Sequence, residues 1–144
     1  MGKMVSKEGW LICITDWTIA ALDTPNGFLQ LYTVKKIEIV GKAKIIGSAS
    51  DLFSELPYLV EISGLNNLDF SEVTSMYATF GYCPVLEKID LEYLDTSNVT
   101  DMSYLFQDDY SLRNINIANF DMRNVVNFSG MFSYCKSLQK LDIR

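Results

Sequence analysis

The chain has 144 residues and no histidine, which removes the commonest general base and the partner of Ser-His and Cys-His nucleophiles. Any chemistry would rest on carboxylates, lysine or cysteine. The three cysteines, Cys13, Cys83 and Cys135, are odd in number and far apart, a pattern of a reducing compartment rather than of a disulfide scaffold. Neither a CxxC pair nor an HExxH spacing occurs, so no zinc site is expected. Asp69, Asp95 and Asp121 recur at a step of 26 residues. Aligned this way they could hold Ca²⁺, or each could accept a bond from its own turn backbone two residues on, as in Asp95-Thr-Ser-Asn98. No catalytic residue, metal or cofactor is expected, and the sequence does not read as an enzyme.

Those aspartates belong to a longer pattern. Leu86, Ile89 and Leu91 recur as Leu112, Ile115 and Ile117 and as Leu138, Leu141 and Ile143; Val73, Val99 and Val125 follow the same step, as do Phe80, Phe106 and Phe132. Phe53, Leu59 and Ile62 match Phe80, Leu86 and Ile89 after 27 residues, so one coil differs in length by a residue. A further, degraded coil is suggested by Ile37, Ile39 and Ile46. Each LxxIxL run alternates like a short strand, whereas Val99, Met102, Leu105 and Phe106 have the spacing of a short helix or 3₁₀ turn, with Thr74 and Thr100 placed to cap it. The expected fold is an α/β solenoid of about four leucine-rich-repeat-like coils, one strand and one short helical turn per coil. A single unit cannot bury its apolar face, so the coils must stack into a parallel sheet with continuous side-chain ladders.

Residues 94–106, LDTSNVTDMSYLF, and 120–143, FDMRNVVNFSGMFSYCKSLQKLDI, resemble the BspA-like leucine-rich repeats of bacterial surface proteins and mycoplasma lipoproteins. The resemblance covers about residues 50–144. It implies a solenoid used for binding or adhesion, and it names no ligand. The last copy departs from the pattern, with Met122-Arg123 for Thr-Ser and Val126 for Thr.

Residues 1–45 lie outside the regular repeat and read as a β-rich cap on the solenoid of residues 46–144, the two making one structural domain. Gly9–Ile14, Trp17–Leu22 and Phe28–Val34 read as strands, with a turn at Thr24-Pro-Asn-Gly27, and Trp10 and Trp17 are expected to pack the cap. No leader-like or membrane-spanning apolar run is present, which points to a cytoplasmic location, or to a secreted or cell-surface one if a leader has been removed. At the other end the sequence stops within a strand, at Leu141-Asp-Ile-Arg144. That coil is expected to be covered by something further, such as a longer array or a second copy in a two-fold dimer.

The net charge is −6, and it is uneven. Residues 1–44 carry six lysines against four acids, and the remainder holds six basic and fourteen acidic residues. Such a body repels nucleic-acid phosphate and favours a protein partner with a basic surface. On the sheet face, Lys88, Asp90, Asn114, Asn116, Lys140 and Asp142 point outward, and Glu92, Tyr93 and Asn119 follow their strands; Tyr82 and Tyr134, two coils apart with Asp108 between, form a second patch on the ridge. These are the candidate partner-binding residues, against ordinary solvated faces. The expected function is a non-catalytic protein–protein interaction module using the sheet face or the last coil. The alternatives are a small phage-encoded inhibitor of anti-CRISPR type, blocking a basic nucleic-acid channel, and a fragment of a surface adhesin.

Overall fold

The computed structural model describes residues 34–143 in full apart from the Ala43 side chain, and the backbone of β1 (Lys3–Val5) and β2 (Ile12–Trp17). The expected strands at Trp17–Leu22 and Phe28–Val34, the turn at 24–27 and the packing of Trp10 and Trp17 lie essentially outside the described residues. β1 and β2 pair antiparallel, and β2 pairs antiparallel with β3 (Val34–Glu38). From β3 onward the sheet is parallel, through β5 (Glu61–Ser63) to β7 (Lys88–Ile89). Further along the solenoid, β8 (Asn114–Asn116) and β9 (Lys140–Asp142) form a separate parallel pair. A second flank is built by β4 (Ala43–Ser48) on β6 (Leu68–Ser75), and single bridges from Ser75 to Asp101 to Asn127 carry it on.

The third flank differs from the helix-like expectation. Among the described residues the only helical stretch is a 3₁₀ turn at Leu65–Asn67, so the molecule is a β-solenoid of about four coils with almost no helix. At the segment expected to be helical, the backbone alternates. Met76, Ala78, Phe80 and Tyr82 donate their N–H to carbonyls of the next coil, while Thr79 and Gly81 donate three residues back within their own. Positive φ at Ala78 and Tyr82, and again at Tyr104 and Asp108, breaks the run of right-handed residues that a helix needs. The apolar spacing is that of a turn of helix, but every second amide has been turned outward to tie coils together. Thr74 and Thr100 do not cap helices either; their hydroxyls donate to Gly47 and Thr74 carbonyls one coil back, at 2.9 and 3.1 Å.

The repeated residues are ladders in space. Phe53, Phe80, Phe106 and Phe132 stack with centroids 5.7, 5.6 and 5.7 Å apart, more than the ~4.8 Å between adjacent strands, so the rings are offset as their quadrupoles prefer. Val73, Val99, Met76, Met102, Leu86 and Leu112 are fully buried beside them. Asn98 and Asn124 reach back to the Ser71 and Ser97 carbonyls at 2.8 and 2.7 Å. The extra residue of the longer coil falls at Ser63-Gly64, because Ile62 pairs with Ile89 while Leu65 and Leu91 are the next buried positions. Gly64 takes φ 77 there, and a Cβ would overlap the Ile39 carbonyl oxygen, so only glycine fits.

Candidate partner-binding surfaces

Three surfaces could receive a partner. On the sheet face, β pairing sets Lys36, Glu61 and Lys88 side by side, and Asn114 beside Lys140; the neighbouring file contains Asn116 beside Asp142. Lys88, Asp90, Glu92, Tyr93, Asn114, Asn116, Asn119 and Lys140 are all exposed, and Asp142 is half-buried. Several of these side chains are already engaged in holding the fold. Asp90 Oδ1 accepts the Glu92 N–H at 3.0 Å, Asn116 Oδ1 accepts the Ala118 N–H at 3.0 Å, and Asn119 Nδ2 donates to the Glu92 carbonyl at 3.2 Å. Lys36 pairs with Glu61 at 3.5 Å.

The aspartate ladder closes its own turns. Asp69, Asp95 and Asp121 each accept the N–H two residues on, at 2.9, 3.0 and 3.1 Å. Asp69 also faces Lys44 at 3.7 Å, and Asp121 pairs with Arg123 at 2.6 Å. Arg123, donating from its side chain and backbone, holds the Asp121 carboxyl down at about 2. No group of three or more His, Cys, Asp or Glu side chains able to hold a metal is found among the described residues.

A parallel ladder runs through Cys83, Asp109 and Cys135. Both thiols are free and donate one coil back, Cys83 to the Phe53 carbonyl at 3.2 Å and Cys135 to the Phe106 carbonyl at 3.0 Å. Burial pushes each up to about 12, so neither is a ready thiolate. Asp109, between them, is fully buried; its Oδ1 accepts the Cys83 N–H at 2.9 Å and its Oδ2 has no partner. Desolvation raises its carboxyl to about 9, so it is neutral at physiological pH.

On the ridge, Tyr82 and Tyr134 occupy one file with Glu55 and Asp108, all four at positive φ. The next file holds Pro57, Pro84, Tyr110 and Lys136. Glu55, Tyr82 and Asp108 of the first file and Pro57, Pro84 and Tyr110 of the second line an open groove of about 340 Å³. Asp108 is set by bonds from the Tyr110 hydroxyl at 2.9 Å and Gln107 Nε2 at 3.2 Å. The prolines, Glu55 and Tyr110 escape a search for recurring residues because the positions recur while the residue types change.

The third surface is the outer face of the last coil. Phe128, Val126 and Ile143 are well exposed, and Met122, Leu141 and Phe132 help to line an apolar hollow of about 310 Å³. Met102, Tyr104, Phe106 and Asp108 donate their N–H to the Asn127, Ser129, Met131 and Ser133 carbonyls. Their equivalents Phe128, Gly130, Phe132 and Tyr134 have no such acceptor among the described residues.

Parallel coils and side-chain ladders define a β-solenoid repeat protein. More particularly, residues 48–143 match the family model described as Mycoplasma protein of unknown function, DUF285, and the chain belongs to that family. Comparison with curated proteins and with solved structures gave no significant match.

Proposed function

We propose that this protein is a non-catalytic interaction module and that the outer face of its last coil docks a partner protein. The observation that supports this reading is the coincidence, on one face, of exposed Val126, Phe128 and Ile143 with a row of N–H donors that have no acceptor among the described residues. Apolar area and unpaired backbone together are the signature of a surface that gains by being covered. The polarity of the row selects the occupant. A partner must present carbonyl acceptors at one-coil distance, as an extended or coil-forming segment does, whereas a second copy related by a two-fold would set donors against donors along this flank. The resemblance to BspA-like repeats supports a binding role, and the net charge of −6 supports a protein partner over a nucleic acid.

The sheet face is the second reading, favoured by exposed Lys88 and by the pairing of Asn114 with Lys140 and of Asn116 with Asp142. Affinity capture followed by cross-linking separates the two. The double variant Phe128→Asp, Ile143→Asp is expected to lose a partner that Lys88→Glu, Asp90→Lys retains; the opposite pattern overturns the assignment to the last coil.

A further inference from the structure

We propose that the ridge groove between Tyr82 and Tyr110 docks a proline-rich, extended segment of a partner protein that carries lysine or arginine. The lining of the groove reaches only as far as Asp108 and Tyr110 and shares no residue with the last coil's outer face, so the proposal does not depend on that assignment.

The walls of the groove are two phenol rings, 36% and 38% exposed, and its lining includes Pro57 and Pro84. Flat apolar rings of this kind are what polyproline II segments pack against in aromatic-lined grooves. Spacing agrees with composition. A polyproline II helix repeats its face every three residues, about 9.3 Å, and two coils of a parallel solenoid advance about 9.6 Å. Pro57 and Tyr110 stand two coils apart in one file of the lining, so successive turns of such a ligand, laid along the solenoid axis, meet an apolar ring at each.

Charge settles what the segment carries besides proline. Both ionisable side chains in the lining other than tyrosine, Glu55 and Asp108, are acidic, and Asp51, also acidic, lies near enough to act on Tyr82. The aromatic row already receives a cation from the chain itself, for the Lys136 ammonium sits 4.4 Å from the Tyr110 ring centre. Among the described residues no such cation lies over the Tyr82 ring, which leaves its face for a ligand's own Lys or Arg.

Fluorescence anisotropy with a labelled peptide of repeated Pro-Pro-Arg triplets tests the proposal. A Gly-Ser-Arg peptide of equal charge and length is expected to bind roughly tenfold or more weakly, and a Pro-Pro-Glu peptide not measurably. Tyr110→Ala and Tyr82→Asn, the latter chosen because asparagine tolerates the positive φ, are each expected to weaken binding roughly tenfold with an unchanged melting transition. Lys136→Gln, which uncovers the Tyr110 ring, is expected to tighten it about twofold to threefold. Equal binding of the Gly-Ser-Arg peptide, indifference to both tyrosine substitutions, or binding of a neutral oligosaccharide in place of the peptide overturns it. Phe128→Asp, Ile143→Asp should leave this binding intact, so failure here and failure of the last-coil assignment are told apart.

Discussion

The coil spanning Val99 to Ile117 and the coil that follows it carry the same residue pattern and live in different surroundings. Met102, Leu105, Phe106 and Leu112 are 0% exposed, whereas Phe128 is 62% exposed and Leu141 37%. Asn98 and Asn124 make the same backward bond in both coils, and the Phe column runs unbroken through both. What differs is the forward direction. Each coil is completed by the one after it, both through the amides it donates and through the apolar face that the next coil covers. Repeat identity therefore specifies a place in a column, and the neighbour decides whether that place stabilises the fold or is available to a partner.

Mutation can break this comparison most visibly in the Phe column. Phe106→Ala, with rings on both sides, should cost about 3 to 5 kcal/mol in urea unfolding, while Phe132→Ala, half-exposed, should cost about 1 to 2 kcal/mol. Equal losses would mean that the last coil is as well packed as the inner one.

Asp109 gives the next largest effect. Its pKa in the folded state lies near 9 instead of 3.8, so the folded state binds the extra proton between those values. Its contribution is fully present below about pH 4 and is lost as pH rises toward 9, by about 1.4 kcal/mol per unit. The causes are desolvation first and then Asp108, against the bond from the Cys83 amide. Asp109→Asn should flatten this slope and raise stability at pH 8 by about 3 to 5 kcal/mol, the roughly 6 kcal/mol lost by that pH less the cost of burying an amide donor without an acceptor. Chemical denaturation across pH 4 to 9 checks it, and a variant with the wild-type slope would show that the carboxyl is ionised in the fold. Asp109→Cys, which supplies the thiol found at the same place in the coils on either side, should also stabilise, because a thiol there can donate to the carbonyl one coil back as Cys83 and Cys135 do.

A smaller effect belongs to the asparagine ladder. Asn98→Ala removes the bond to the Ser71 carbonyl and should cost about 1 kcal/mol, with Asn124→Ala matching it because both side chains point to the coil before them. Unequal costs would show that the backward bonds, too, depend on the coil in front.

The 26-residue step of leucines, valines and phenylalanines was enough to read the core, because every recurring apolar residue must share one buried column. The turn role of Asp69, Asp95 and Asp121 was open at that stage, and the bonds to Ser71, Ser97 and Arg123 decide it. The helix-like expectation at Val99–Phe106 failed for a local reason. Ala78, Tyr82, Tyr104 and Asp108 adopt left-handed backbone without the glycine that announces it, and in the equivalent file only Gly130 carries that signal. The ridge groove was partly visible as Tyr82 and Asp108. Its remaining wall combines Pro57, Pro84 and Tyr110, whose chemistry changes from coil to coil, so only their stacking reveals them as one surface.

The smallest expected effect is also the sharpest test of what the last coil lacks. Thr74 and Thr100 each bond a carbonyl one coil back, and the corresponding residue in the last coil is Val126, 84% exposed, whose amide already donates to the Thr100 carbonyl at 2.8 Å. A threonine there would add its hydroxyl to that same acceptor, as Thr100 does at Thr74 with amide and hydroxyl together, and it would remove a methyl from water. Val126→Thr should therefore raise stability by about 0.5 kcal/mol, read as a shift of the urea midpoint at constant slope. The same substitution should weaken capture of a partner through the last coil's face, because it takes apolar area from it. A stability gain with capture unchanged would place the docking surface elsewhere on the solenoid, and a stability loss would mean that the last coil is not a copy of the inner ones in its backbone geometry.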